Sequence, residues 1–324
     1  MRRTLIQTLI ASVALSGLAG TALAQSTDYP AKALTIVVPF AAGSGTDQMA
    51  RAMGQALTET FKVPVVVDNK PGANGFIASQ FVARAAPDGY TMLMTTNTTH
   101  AANEHLYTKL PYDPVKDFSP VILLAKGHMA LLVNPGSPYK TLADLVADAR
   151  KRPGKLSFGS GSSSSRVGSE LLRQMAGLEV LSVPYKSNPF AITDLMGGQI
   201  DFMFADAPTA VPQINGGKLR ALAVSGTKRL ATLPAVPTVD EAGVKGYDMS
   251  YWTAVYLPAN AAPAVVKKLN EMLAKGMNAP AVLAFQTNTS GELSLSSPEG
   301  LAAFQAAESQ KWGRVIKAAG IQPE

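Results

Sequence analysis

The residues best placed to do chemistry in this chain are neutral ones. The segment PFAAGSGTDQMAR sets Ala42, Gly43, Ser44, Gly45 and Thr46 between an apolar run and a helical pattern. Glycines let backbone approach a ligand there, and the first amides of a helix have no acceptor within it, so such a turn can cradle a carboxylate. An equally good reading has Gly43 and Gly45 turning the chain and Asp47 complementing the helix dipole. A matching segment, LSFGSGSSSSRVGSELL, passes from strand to helix through Gly159 and Gly161 and the hydroxyls of Ser160, Ser162, Ser163, Ser164 and Ser165. A serine run in isolation reads as a flexible loop. Two Gly/Ser strand-to-helix turns, one in each half of the chain, favour ligand contact through neutral donors.

Other candidates follow strand-like runs: Thr95, Thr96 and Asn97 after YTMLM, Tyr185 and Lys186 after LSV, and Asp206 after DFMFA. Each also reads as a loop or cap residue. Asp206 is the sharpest, because a carboxylate at a cleft edge repels an anion unless it bonds a helix start, meets a protonated acid or receives an ammonium. Capping the helix that follows is its favoured role, despite Pro208. Phe40, Tyr185 and Trp252 can stack on a ligand ring or fill core, whereas Trp312 keeps helical spacing with Leu301, Phe304 and Val315 and reads as core.

The parts of several other chemistries are missing. The three histidines, His100, His105 and His128, have no carboxylate or third ligand at a metal spacing, and the absence of cysteine removes thiolate sites, disulfides and a thioether lipid anchor. No G-x-S-x-G elbow or phosphate loop occurs, and Gly43-Ser44-Gly45 and Gly159-Ser160-Gly161 hold only the opening of a dinucleotide pattern. No catalytic residue, metal or cofactor is therefore expected. The basic residues are spread out, and the formal charge of +6 falls to +4 once Arg2 and Arg3 leave with a leader, so no nucleic-acid track is read.

That leader is residues 1–24: two arginines, an apolar stretch over 5–18 interrupted by polar residues, and small residues ending at Ala24, the pattern of a cleavable secretory signal. The remaining chain of about 300 residues fits two lobes. Apolar runs and helical patterns alternate from residue 33 to about 96, which predicts strands joined by crossover helices. A proline-rich stretch with runs at 121–125 and 129–133 carries the chain to a second series, which ends in RALAVSG. A short helix at 239–242, the run YWTAVYLP and three helices complete the pattern, the last opening at Ser297 with Pro298 in its first turn. The expected fold is α/β: parallel-rich sheets flanked by helices in two lobes, residues 25–125 plus 230–324 and residues 126–229, hinged around a ligand cleft at strand ends.

The segments VVPFAAGSGTD, NKPGANGFIASQFVARAAPDGYTML, TNTTHAANEHLY, FGSGSSSS, VPYKSNPFAITDLMGGQIDFMF and GKLRALAVSG, in this order, closely resemble the Bug family, the tripartite tricarboxylate transporter receptors of bacteria. The resemblance implies a periplasmic binding protein of type II-like, two-lobed form, working as a monomer, that captures a small aliphatic or aromatic carboxylate and delivers it to membrane permease subunits. It also implies that the ligand lies between the two glycine turns, at Phe40, Ala42, Gly43, Ser44, Gly45 and Asp47 on one side and Ser160, Gly161, Ser162, Ser163 and Ser164 on the other. Two departures touch this pocket: AAGSGTD replaces the common proline-glycine-glycine form, and Arg166 follows the serine run where a histidine is frequent. Extra hydroxyls and Arg166 can serve the far end of a diacid.

Three rival functions remain in the sequence. The same fold can bind an amide, amino acid or cation with Asp206 as counter-charge. A sensor can present its solute to a membrane kinase. A hydrolase built on one of Ser160 to Ser165 with His100 or His128 lacks a recognisable base and orienting group. N-terminal sequencing of the exported protein is expected to begin at Gln25; a protein retaining residue 1 would refute cleavage.

Overall fold

The computed structural model describes residues 29–324; the signal-peptide expectation lies outside them. In chain order come β1 (Leu34–Val38), α1 (Gly45–Phe61), β2 (Val65–Asn69), α2 (Phe76–Ala83), β3 (Thr91–Thr96), α3 (Asn103–Leu106) and β4 (Phe118–Gly127). The second series is β5 (Met129–Val133), α4 (Leu142–Lys151), β6 (Ser157–Ser160), α5 (Ser163–Ala176), β7 (Leu181–Pro184), α6 (Asn188–Met196), β8 (Phe202–Asp206), α7 (Ala207–Asn215) and β9 (Arg220–Val224). The chain then returns through β10 (Tyr251–Pro258), α8 (Pro263–Met277), α9 (Pro280–Thr289), β11 (Glu292–Leu293) and α10 (Pro298–Ala318).

Two sheets result, ordered β11-β4-β10-β3-β1-β2 and β7-β6-β8-β5-β9. The α/β layers are those expected, but the sheets are mixed. β1 runs parallel to β2 and β3, and β6 to β7 and β8, while β10 is antiparallel to β3 and β4, and β5 to β8 and β9. The reason is connectivity. Parallel pairing needs a crossover, usually helical, and each parallel pair here comes from a strand–helix–strand unit. β5 enters its sheet one residue after β4 has left the other, and β10 follows a helix-free stretch, so neither is bound to the direction of its neighbours. Part of that stretch, residues 239–242, was expected to be helical; it forms hydrogen-bonded turns. The Ala242 amide reaches Thr238 O, but Gly243 then takes φ +110°, which ends any helix after one turn.

The central strands are apolar on both faces because helices cover both. In β5, Met129, Leu131 and Val133 belong to one buried cluster with Phe158, Phe204 and Trp252, while Ala130 and Leu132 belong to a second with Leu195, Met203 and Val211. Trp252 is 1% exposed and meets Phe304 edge-on, so it fills core rather than stacking on a ligand, and Trp312 is core as well. Among the described residues, no helix is long and apolar enough to cross a membrane. Replacing Trp252 with alanine is expected to cost about 3–5 kcal/mol in denaturant unfolding; a loss under about 1 kcal/mol would show that the site is not core.

Candidate ligand-binding cleft

The first glycine turn is shaped by a buried carboxylate. Gly43 takes φ +81°, which brings Ser44 into position as N-cap of α1, where its hydroxyl accepts from the Asp47 amide. Asp47 is 2% exposed. It accepts from the Gly43 amide at 2.9 Å, from Arg51 Nε at 3.1 Å and from Asn69 Nδ2 at 2.9 Å, and Asn69 also ties down Phe40 O. Burial works to raise the Asp47 pKa, but these donors and the Arg51 charge outweigh it and hold the carboxyl below its ordinary value. Asp47 therefore braces the turn from behind, leaving the Gly45 and Thr46 amides without an acceptor inside the helix.

The serine turn is held by contacts to both sheets. A Cβ on Gly161 would lie 2.1 Å from Ser187 C and 2.2 Å from Asn188 N, so no side chain fits where the turn after β6 meets the start of α6. Ser162 caps α5 through the Ser165 amide, and Ser165 Oγ donates to Phe204 O. Ser163 and Ser164 reach the other lobe: Asn74 Nδ2 donates to Ser163 Oγ at 2.7 Å, and Asn97 Nδ2 donates to Ser164 Oγ at 2.8 Å. Two more bonds cross nearby, from the Ala41 amide to Ser187 Oγ and from Gln48 Nε2 to Pro208 O.

These contacts surround a cavity walled by residues of both lobes. Of the residues singled out in the sequence, Phe40, Ser44, Gly45, Thr96, Ser162, Ser164 and Asp206 line it. Ala42 and Gly43 are exposed on the outer rim of their turn. Asp47, Asn97, Gly161 and Ser163 stand behind the wall in the contacts just described. Ser160, Arg166 and Tyr185 line a neighbouring depression, where Arg166 pairs with Glu324 and the Tyr185 hydroxyl donates to Asp194.

Several lining residues went unread in the sequence. Ser187 and Asn188 lie in VPYKSNPF, where a serine before Asn-Pro signals a helix start. Tyr251 and Thr253 come from β10, and Phe285 and Gln286 from α9, with no local signal to mark them. Asp206 corrects an expectation. It occupies the N-cap position of α7, but its side chain bonds no helix amide: the Ala207 amide is taken by His128 O and Pro208 has none to offer. Its carboxylate accepts instead from Asn188 Nδ2 at 2.9 Å and Thr209 Oγ1 at 2.6 Å, and it lies so close to Gly45 that a Cβ there would come within 2.2 Å of Oδ2.

The cavity is thus ringed by the N-cap residues of four helices: Ser44 of α1, Ser162 of α5, Ser187 of α6 and Asp206 of α7. The starts of α1 and α5 carry a partial positive charge and leftover donors, whereas the start of α7 presents the Asp206 carboxylate and no free amide at Ala207 or Pro208. The histidines are engaged elsewhere. Buried His100 stacks on Tyr256, with its pKa pushed down to about 3 by burial, His105 bonds Ser309 and His128 bonds Met249 O. Among the described residues, no group of His, Asp and Glu could hold a metal ion.

Two α/β lobes meeting on a cavity ringed by helix starts define a solute-binding receptor. A family model described as "Tripartite tricarboxylate transporter family receptor" matches residues 49–321, and the chain belongs to that family. It is similar to the UPF0065 protein of the tcbD-tcbE intergenic region of Pseudomonas sp. strain P51, at 34% identity over 312 residues, covering 95% of this chain and 93% of that one. Protein BugT of Bordetella pertussis is 31% identical over 313 residues, covering 96% and 95%. Among solved structures, R. palustris Rpa4515 with adipate superposes with a TM-score of 0.89 at 34% identity, over 92% of this chain and 100% of that one. MatC from Rhodopseudomonas palustris with bound malate gives 0.84 at 30% identity, over 89% and 100%.

Asp47→Asn is expected to lower stability near neutral pH by about 1–3 kcal/mol, measured by urea unfolding. Because the folded-state pKa is depressed, the Asp47 contribution is full above the ordinary aspartate range and is lost as pH falls through the folded value. The wild-type and variant stabilities should therefore converge at acid pH; a gap that does not change with pH would contradict an ionised brace.

Proposed function

We propose that the chain is an exported, periplasmic receptor, not an enzyme, that captures a small organic carboxylate, aliphatic or aromatic, and presents it as a monomer to permease subunits of a tripartite transporter. In this proposal the lobes are residues 25–125 plus 230–324 and residues 126–229. They close on the carboxylate at the starts of α1 and α5, with Phe40, Ser44, Gly45, Thr96, Ser162 and Ser164 touching the ligand. Asp47, Asn97, Gly161 and Ser163 hold those groups in place.

The observation that carries the proposal is the convergence of the α1 and α5 starts, capped by Ser44 and Ser162, on one cavity. Each is worth roughly 0.3–2 kcal/mol toward a nearby anion, so together they favour a carboxylate over its neutral amide by on the order of tenfold. The adipate and malate of the two solved relatives support the same ligand class. Calorimetric titration of ligand-stripped mature protein with acids and their amides tests it. At least one acid is expected to bind at least tenfold tighter than its amide, and Ser162→Ala/Ser164→Ala should weaken that binding about tenfold. Equal binding of acid and amide, or preference for the amide throughout, would overturn the carboxylate proposal.

A further inference from the structure

We propose that Asp206 sets the ligand class within this cleft: the captured carboxylate also carries an ammonium group, which the Asp206 side chain receives. The inference rests on the carboxylate reading above and narrows it. Its basis is the inventory of charge on the cavity wall. Asp206 presents a carboxylate whose two oxygens each accept one neutral donor, from Asn188 and Thr209. An ionised carboxylate has about four acceptor sites, so the two fixed donors leave room for a ligand N–H.

The other charged side chain on that wall is Lys126, and its ammonium is directed elsewhere. It sits over the Phe304 ring, 4.6 Å from the centroid, where Trp252 also packs. Tyr251 is held protonated: burial first, and then the charge of Asp206, push its pKa well above the ordinary value. The wall therefore sets no guanidinium or ammonium toward a second ligand carboxylate, which would instead meet the charge of Asp206 in a poorly hydrated space. An ammonium there meets its complement.

Gln286 supplies the second observation. It lines the same cavity, is 5% exposed, and its side-chain nitrogen has no hydrogen-bond partner. Buried amide donors are ordinarily paired, and a ligand oxygen reaching this nitrogen would satisfy it. A donor at Gln286, an acceptor at Asp206 and the helix-start amides form a set that reads one carboxylate and one ammonium on the same molecule.

The test is calorimetric titration of ligand-stripped mature protein with three groups: aminocarboxylates (alanine, glutamate, 4-aminobutyrate, 6-aminohexanoate), diacids (succinate, adipate) and monoacids (butyrate, hexanoate). The expected result is that at least one aminocarboxylate binds at least tenfold tighter than every diacid and monoacid. Asp206→Asn should then lose at least tenfold for that ligand while changing monoacid binding less than threefold. The wild-type ranking needs no variant, so the inference is testable even if Asp206→Asn folds poorly. A diacid or monoacid as the tightest ligand overturns it, as does unchanged aminocarboxylate binding by Asp206→Asn, or diacid binding that Lys126→Met abolishes. Binding of monoacids and diacids without aminocarboxylates removes this inference alone; failure of every carboxylate to bind removes the carboxylate reading with it.

Discussion

Backbone amides in the first turn of a helix have no acceptor within that helix, and this chain brings two such turns, those of α1 and α5, to one place. Everything else about the cleft follows from that arrangement. A pocket whose one lysine, Lys126, lies over the Phe304 ring can hold an anion through neutral donors that already point inward, because their orientation is settled during folding and not at binding. Ser44 and Ser162 each satisfy one amide of their own helix and leave the earlier ones available. Asp47, buried behind the first turn, accepts from Gly43, Arg51 and Asn69 and thereby fixes where those amides aim.

The same economy of charge governs how the lobes meet. The contacts around the cavity, Asn74 to Ser163, Asn97 to Ser164, Ala41 to Ser187 and Gln48 to Pro208, all join neutral groups. A neutral hydrogen bond contributes on the order of 0.5–1.5 kcal/mol net, so a handful can favour closure without locking it, as a receptor that must release its cargo requires. The serine run belongs to this mechanism. Its hydroxyls cap α5 and bridge the lobes, and each histidine is engaged away from it.

How much of this was legible in the sequence depends on the range of the interaction. Strand–helix alternation, the N-cap at Ser297 and the two glycine turns were readable, because each depends on residues a few positions apart. The mixed strand directions of β5 and β10 were not, since direction is decided by what joins two strands, and both joints lack a crossover helix. Arg166 and Tyr185 sat beside the right motif in sequence, but their side chains leave the turn on the far side and line a different depression. Tyr251 and Gln286 carry no local mark; they reach the cavity because β10 and α9 return to the first sheet after the second lobe is complete.

The sequence by itself determined the α/β class, the two lobes' worth of chain, and the glycine- and serine-rich helix starts. Those properties are local, set by periodicity, turn chemistry and residue type. Only the tertiary structure decided which neutral groups face the ligand and which brace the wall, and that Asp206 bonds Asn188 and Thr209 rather than capping its own helix. The physical reason is that a side chain's partner is whatever folding places within about 3 Å of it, and for Asp206 folding also brings up Gly45 of the opposite lobe so closely that no side chain would fit there.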